Sequence, residues 1–211
     1  MVAIEATTIP QTGREGKREA ILEAARKVFM EVGFGTTSMD TIAAEAKVSK
    51  QTVYNHFGSK EELFAAMIRY WVDQKLVVFS ETAKQGKPED TFRAIAHQFL
   101  DHDNAEQRVS MYRILMGESP RFPELGNIFY KAGPAVVRRF LADYLADQHK
   151  RGILRVENPT LASEQFFGML NGCQFKAQLG IEPLPNKQAV DAYIEHAVML
   201  MMRALAPLSK R

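Results

Sequence analysis

Apolar residues recur at helical spacing along most of the chain, and nowhere in a convincing strand alternation. Ile21, Leu22, Ala25, Val28, Phe29 and Val32 predict a first helix over residues 17–32. Gly33 follows, where a left-handed helix end favours glycine. Ser38 can cap a second helix whose inner face is Met39, Ile42, Ala43 and Ala46. Ser49 can cap a third, with Val48 and Val53 placed as a hydrophobic staple. Ser59 and Glu62 have the spacing of a capping box and open a fourth helix, expected over residues 60–80.

Beyond a loop at residues 85–90, helices are expected over 91–101 and 105–116. The breaker at 117–123 precedes a long helical stretch to residue 151, kinked at Gly133-Pro134 because proline lacks the N–H and clashes with the preceding turn. Helices over 161–179 and 187–206 complete an all-α chain.

The third helix is short and polar. At 100° per residue, Val53 and Phe57 lie about 40° apart and define its buried side. Gln51 and Asn55 fall on the opposite side, flanked by Thr52 and Tyr54, with Lys50 in the first turn. Asn and Gln can pair bidentately with adenine in the major groove, while lysine and hydroxyls suit phosphates. With the preceding helix and a turn at Lys47 and Val48, this is a helix-turn-helix pattern. A solvated surface helix of an all-α bundle fits the same periodicity.

Composition narrows the class. At 46% hydrophobic and 25% charged, the chain is an ordinary globular sequence. A net charge of +2 does not announce a polyanion-binding protein, so the placement of charge matters more. No acidic residue occurs from Val48 to Ser59, and Lys47, Lys50 and Lys60 bracket that stretch. No apolar run approaches a membrane span, and residues 1–16 are expected to form a disordered arm rather than a secretory signal. The single cysteine, Cys173, excludes an internal disulfide and fits the cytoplasm. Common catalytic spacings, the P-loop and the dinucleotide fingerprint are absent from the sequence. His97 and His102 are off one helix face without a nearby cysteine, so no metal or cofactor is expected.

Residues 17–64 resemble the DNA-binding domain of the TetR family of bacterial transcriptional regulators. The likeness is carried by EVGFGTTSMDTIAAEAKVS and TVYNHFGSKEELF, with Gly33, Thr37, Ile42, Ala43, Val48, Ser49, Tyr54, Phe57, Lys60, Leu63 and Phe64 in register. The resemblance implies a helix-turn-helix DNA-binding domain over 17–62. A helical effector-binding and dimerisation domain would occupy 63–206, followed by a tail at 207–211. It implies phosphate contacts from Thr37, Ser38, Thr52, Tyr54, His56 and Lys60, and base-edge contacts from Lys50, Gln51 and Asn55, with Ser49 at the helix start. Gln51 departs from the small residue more common there, so no sequence preference is carried over. Arg14, Lys17 and Arg18 are candidates for further backbone contacts or for plain solvated charge.

Residues 90–175 are similar to the C-terminal domain of a TetR subgroup related to AcrR and AefR, through SPRFPELGNIFYKAGPAVVRRFLADYL and LASEQFFGMLNG. In the last helix Val190, Tyr193, Ile194, Ala197, Val198, Met201 and Leu205 form one stripe. With Leu161, Gln165, Gly168 and Gly172 on the helix before it, they read as a homodimer interface or as a helix buried within the monomer. Trp71, Phe99, Met111, Tyr112, Leu115, Met116, Phe129, Phe166, Met169 and Cys173 are candidates to line an apolar or amphipathic effector site. Arg113, Gln174 and His97 are candidate polar anchors; plain core is the competing reading for the apolar residues. The function implied is a ligand-responsive repressor that binds a palindromic double-stranded operator as a homodimer. A hydrophobic-ligand-binding module or an all-α enzyme without DNA binding is the alternative.

Overall fold

A computed structural model of the chain describes residues 13–101 and 103–207. Most of the expected N-terminal arm, the tail beyond Pro207 and His102 lie outside the described residues. Every regular element among the described residues is a helix. The chain divides into two compact units, Met1–Met67 and Ile68–Arg211.

In the first unit, α1 (Arg14–Thr36), α2 (Met39–Glu45), α3 (Lys50–Phe57) and the first turns of α4 (Lys60–Gln85) enclose a small core. α1 packs on α2, and α2 on α3. Phe29, Phe34 and Phe64 meet at centroid distances of 5.3–5.6 Å. Ile21, Leu22, Ile42, Val53 and Leu63 fill the space beside them. α1 begins at Arg14, three residues before expectation. Gly33 interrupts it at φ 81°, a conformation glycine tolerates, and one further turn follows. Ser38 and Ser49 cap α2 and α3 by accepting from the Thr41 and Thr52 N–H groups at 3.0 and 3.1 Å. Ser59 accepts from Glu62 N–H at the start of α4.

The second unit contains α5 (Pro88–Phe99), α6 (Ala105–Glu118), α7 (Pro123–Ala132), α8 (Pro134–Lys150), α9 (Pro159–Gly172), α10 (Phe175–Gln178) and α11 (Lys187–Ala204). α8 with α9, α5 with α11 and α9 with α11 surround the main core. α6, α7 and α10 pack together beside it. α5 starts three residues earlier than periodicity predicts, because Pro88 suits the first helical position and Asp90 accepts from Lys87 N–H. The Gly133-Pro134 kink separates α7 from α8. Asn158 caps α9 and Pro159 opens it, earlier than expected. The predicted helix over 161–179 breaks at Cys173 and Gln174, giving α9 and α10.

The stripe on α11 is the part of the dimer expectation that the structure corrects. Ile194, Ala197, Val198 and Met201 are buried within the subunit's own core. Their periodicity marks the side facing α5 and α9. Leu161, Gln165, Gly168, Gly172 and Tyr193 are exposed instead. A Cβ on Gly172 would stand 2.9 Å from Tyr193 Oη, whose hydroxyl donates to Met169 O at 2.8 Å. Gly172 therefore permits the close α9–α11 approach inside the subunit.

Candidate nucleic-acid interface

α3 turns its polar ridge outward. Val53 and Phe57 are buried, while Lys50, Gln51 and Asn55 are exposed and Tyr54 is 41% exposed. Gln51 Nε2 donates to Asn55 Oδ1 at 2.8 Å, one turn along the helix. That bond uses the Gln51 nitrogen and the Asn55 oxygen, which leaves the Gln51 carbonyl as an acceptor and the Asn55 amide nitrogen as a donor. An acceptor and a donor match the N6 and N7 edge of adenine.

Lys50 is not free. Its Nζ lies 2.8 Å from Asp40 Oδ1, and that hydrogen bond and charge push its ammonium above the ordinary lysine range. The sequence between Val48 and Ser59 contains no acid, yet folding brings one from α2 to the tip of the ridge. Sequence reasoning missed Asp40, because the pair joins different helices.

Thr52, Asn55 and His56 line an open groove of about 850 Å3 with Gly13, Arg14, Gly16 and Lys17 of the α1 start and Lys47 and Val48 of the turn. Its rim is cationic. Burial, and then the charges of Arg14, Arg18 and Lys17, hold the His56 imidazole below its usual value. Arg18 lies 5.7 Å over the Phe57 ring. Such a groove suits a phosphate backbone passing beside the polar ridge.

Two expected phosphate ligands have structural tasks. Thr37 is 4% exposed, and its hydroxyl donates to Gly33 O at 2.5 Å. Lys60 Nζ donates to Phe34 O and Thr37 O at 2.8 and 2.9 Å and lies 4.4 Å over the Phe34 ring. The interruption at Gly33 leaves carbonyls that need donors, and these two side chains supply them. The Ser38 and Ser49 hydroxyls are exposed but engaged in capping.

The effector candidates fall into three groups. Tyr112 meets Phe129 at 5.7 Å, and Phe99 meets Phe167 at 5.2 Å. Met111, Met169 and Cys173 are half-buried, and Trp71 stacks edge-on with Tyr70 at 5.5 Å. Phe166 is core, fully buried at 4.8 Å from Phe92, and Leu115 is buried too. Met116 is 59% exposed, on the solvent side of α6. Among the polar anchors, Arg113 donates to Gln178 O and Ala177 O, closing the end of α10. His97 is exposed beside Asp191. Gln174 is buried and accepts from Arg108 Nε at 3.0 Å. Arg108 and Lys75 escaped the sequence reading. Each lies one helical turn from an aromatic candidate, Tyr112 and Trp71, a spacing that could have flagged them.

Among the described residues, no group of three or more His, Cys, Asp or Glu side chains could hold a metal ion. No described helix is long and apolar enough to cross a membrane.

Comparison with known proteins gives a consistent answer. Residues 21–67 match the family model of bacterial regulatory proteins of the tetR family, and residues 90–207 match that of the AefR-like transcriptional repressor C-terminal domain. The HTH-type transcriptional regulator UidR of Escherichia coli K12 is 31% identical over 142 residues, 67% of this chain and 71% of UidR. The flavonoid-responsive regulator FrrA is 31% identical, with a TM-score of 0.68 over 92% of this chain and 98% of its own. A TetR family transcriptional regulator from Pseudomonas syringae pv. tomato is 25% identical, with a TM-score of 0.62 over 90% and 97%.

Proposed function

The chain belongs to the TetR family of bacterial regulatory proteins, and from that premise we propose how it acts. It binds a palindromic operator as a homodimer, represses transcription, and is released by a small apolar or amphipathic effector. The observation that carries the reading is the exposed Gln51–Asn55 amide pair on a helix anchored by Val53 and Phe57. Gln51 and Asn55 read base edges, while Ser38, Thr52, Tyr54, His56, Arg14, Lys17 and Lys47 hold the phosphates. Lys50 reaches DNA by leaving Asp40. Two copies of α3 in successive major grooves require half-sites ~34–36 Å apart.

The outer faces of α9, α10 and α11 support the dimer. Leu161, Gly168, Phe175, Tyr193 and Leu200 present an exposed, largely apolar ridge, and a twofold axis would cover it with its own copy. α4 carries residues of both units, so an effector that displaces it changes the spacing of the reading heads. Such coupling is typically ~1–3 kcal/mol and requires that the effector prefer one spacing. An effector of aromatic class is supported by FrrA, which is described as flavonoid-responsive. The family also favours a regulator over an all-α enzyme.

Genome-wide recovery of DNA bound by the full-length protein tests this reading. The expected result is a small set of promoters sharing a palindrome, protected as two half-sites by a dimer. Capture without sequence preference, or binding by a monomer at micromolar concentration, contradicts it.

A further inference from the structure

In the second unit, Lys75 and Arg108 are half-buried cations with no anionic partner in contact among the described residues. Lys75 Nζ of α4 donates to Gln98 O at 2.8 Å. Arg108 of α6 donates to Gln174 Oε1 at 3.0 Å and to Asp101 O at 3.3 and 3.4 Å. Among the described residues, neither has a carboxylate within salt-bridge distance. All their acceptors are neutral oxygens.

Partial compensation comes from the end of α5. A helix C-terminus offers about half a negative charge, against two whole positive ones. Asp101 attracts both cations from further off, but its oxygens accept from Asp103 N–H and Asn104 Nδ2. Burial, and then the charge of Arg108, push the Lys75 ammonium below the ordinary lysine range, and Asp101 offsets this less than Arg108 adds to it. Burial lowers Arg108 likewise. Like charges withdrawn from water beside neutral acceptors cost stability unless an anion joins them.

A third donor points the same way. Gln174 is 2% exposed, and its Nε2 has no hydrogen-bond partner although its Oε1 is held by Arg108. An unpaired buried amide is costly in a finished core. Tyr112 stands one turn beyond Arg108 on α6 and packs against Phe129, so apolar surface begins where the donors end.

We propose that Lys75, Arg108 and Gln174 form the acid-binding end of the effector site, and that the effector is an amphipathic carboxylic acid. The carboxylate takes charge-assisted hydrogen bonds from Lys75 and Arg108 and a neutral one from Gln174 Nε2. Its aromatic or aliphatic body lies toward Tyr112 and Phe129. This rests on the ligand-responsive reading above and specifies the ligand's chemistry.

The test titrates the full-length protein at pH 7.5 with 2-naphthoate and decanoate, each against its own primary amide. The expected result is that at least one acid binds roughly tenfold or more tightly than its amide, as charge-assisted hydrogen bonds imply. Lys75→Met reduces or abolishes that preference by weakening the acid more than the amide, whereas Gln174→Ala, which removes a neutral donor, weakens both. Without ligand, Lys75→Met melts no lower than the wild type, since it removes an uncompensated charge; a side chain that merely closed α5 would lower the melting temperature. The proposal is overturned if neither acid outbinds its amide, if Lys75→Met keeps the full preference, or if Gln174→Ala weakens neither ligand. Operator release is read separately. Amides that release operator as well as the acids overturn this proposal and leave ligand-induced release standing. Acids that bind with the stated preference yet leave operator affinity unchanged support the site and contradict that release.

Discussion

The two units handle positive charge in opposite ways. In the first, Arg14, Lys17 and Lys47 stand in solvent around an open groove. In the second, Lys75 and Arg108 are drawn inward among carbonyls and a buried amide. Exposed charges attract a polyanion from a distance, act additively and are screened by salt. Half-buried charges act at short range, are screened little, and discriminate sharply between an acid and its neutral analogue. The difference follows the size of what each must recognise: a long phosphate chain in one case, a single small head group in the other.

Salt gives the largest contrast. Raising it from 50 to 200 mM is expected to weaken operator binding by roughly a thousandfold or more if the dimer makes six or more phosphate contacts. Affinity for a bound acid in the second unit is expected to change far less, which titration in the same two buffers would show. Equal salt sensitivity would remove the contrast.

Next in size is a stability effect confined to the second unit. Phe166→Ala is expected to cost ~3–5 kcal/mol in denaturant unfolding, as for a buried aromatic, whereas Met116→Ala is expected to cost little. A silent Phe166→Ala with an affected Met116→Ala would reverse their assignments to core and surface.

The smallest effect concerns pH. His56 is held below its usual value by burial and by Arg14, Arg18 and Lys17, so it is neutral in the free protein near pH 7. A phosphate alongside favours the protonated ring, so DNA binding takes up a proton. Affinity should therefore rise, by less than about tenfold, as pH falls from 7.5 to 5.5. His56→Gln is expected to flatten that slope, measured at constant ionic strength. An unchanged slope would place His56 away from the backbone.

What could be read from the chain divides along the range of the interactions. Ser38 and Ser49 as caps, and Val53 with Phe57 as the inner side of α3, depend on neighbours three or four residues away, and periodicity shows them. The tie of Lys60 to Phe34 O and Thr37 O could not be read locally, because those partners lie 26 and 23 residues earlier. Asp40 was missed because it comes from a different helix than the ridge it neutralises. The break between α9 and α10 is invisible to helical spacing, since Gln174 and the α10 carbonyls are held by Arg108 and Arg113 from a remote helix. The α11 stripe shows the opposite limit. Its spacing announces a buried side correctly but says nothing of what covers it, and Ile194, Ala197, Val198 and Met201 are covered by the subunit itself. The acid-binding cluster draws on α4, α6 and the α9–α10 turn, so no single window of sequence contains it.

In the function proposed above, the outward amides of α3 read bases rather than merely face water. Operator and scrambled-duplex affinities of Gln51→Ala and Asn55→Ala, measured side by side at fixed salt, test it directly. Each variant is expected to lose ~1–3 kcal/mol on the operator and almost nothing on the scrambled duplex. Variants that keep full preference for the operator, or weaken on both duplexes alike, would contradict it.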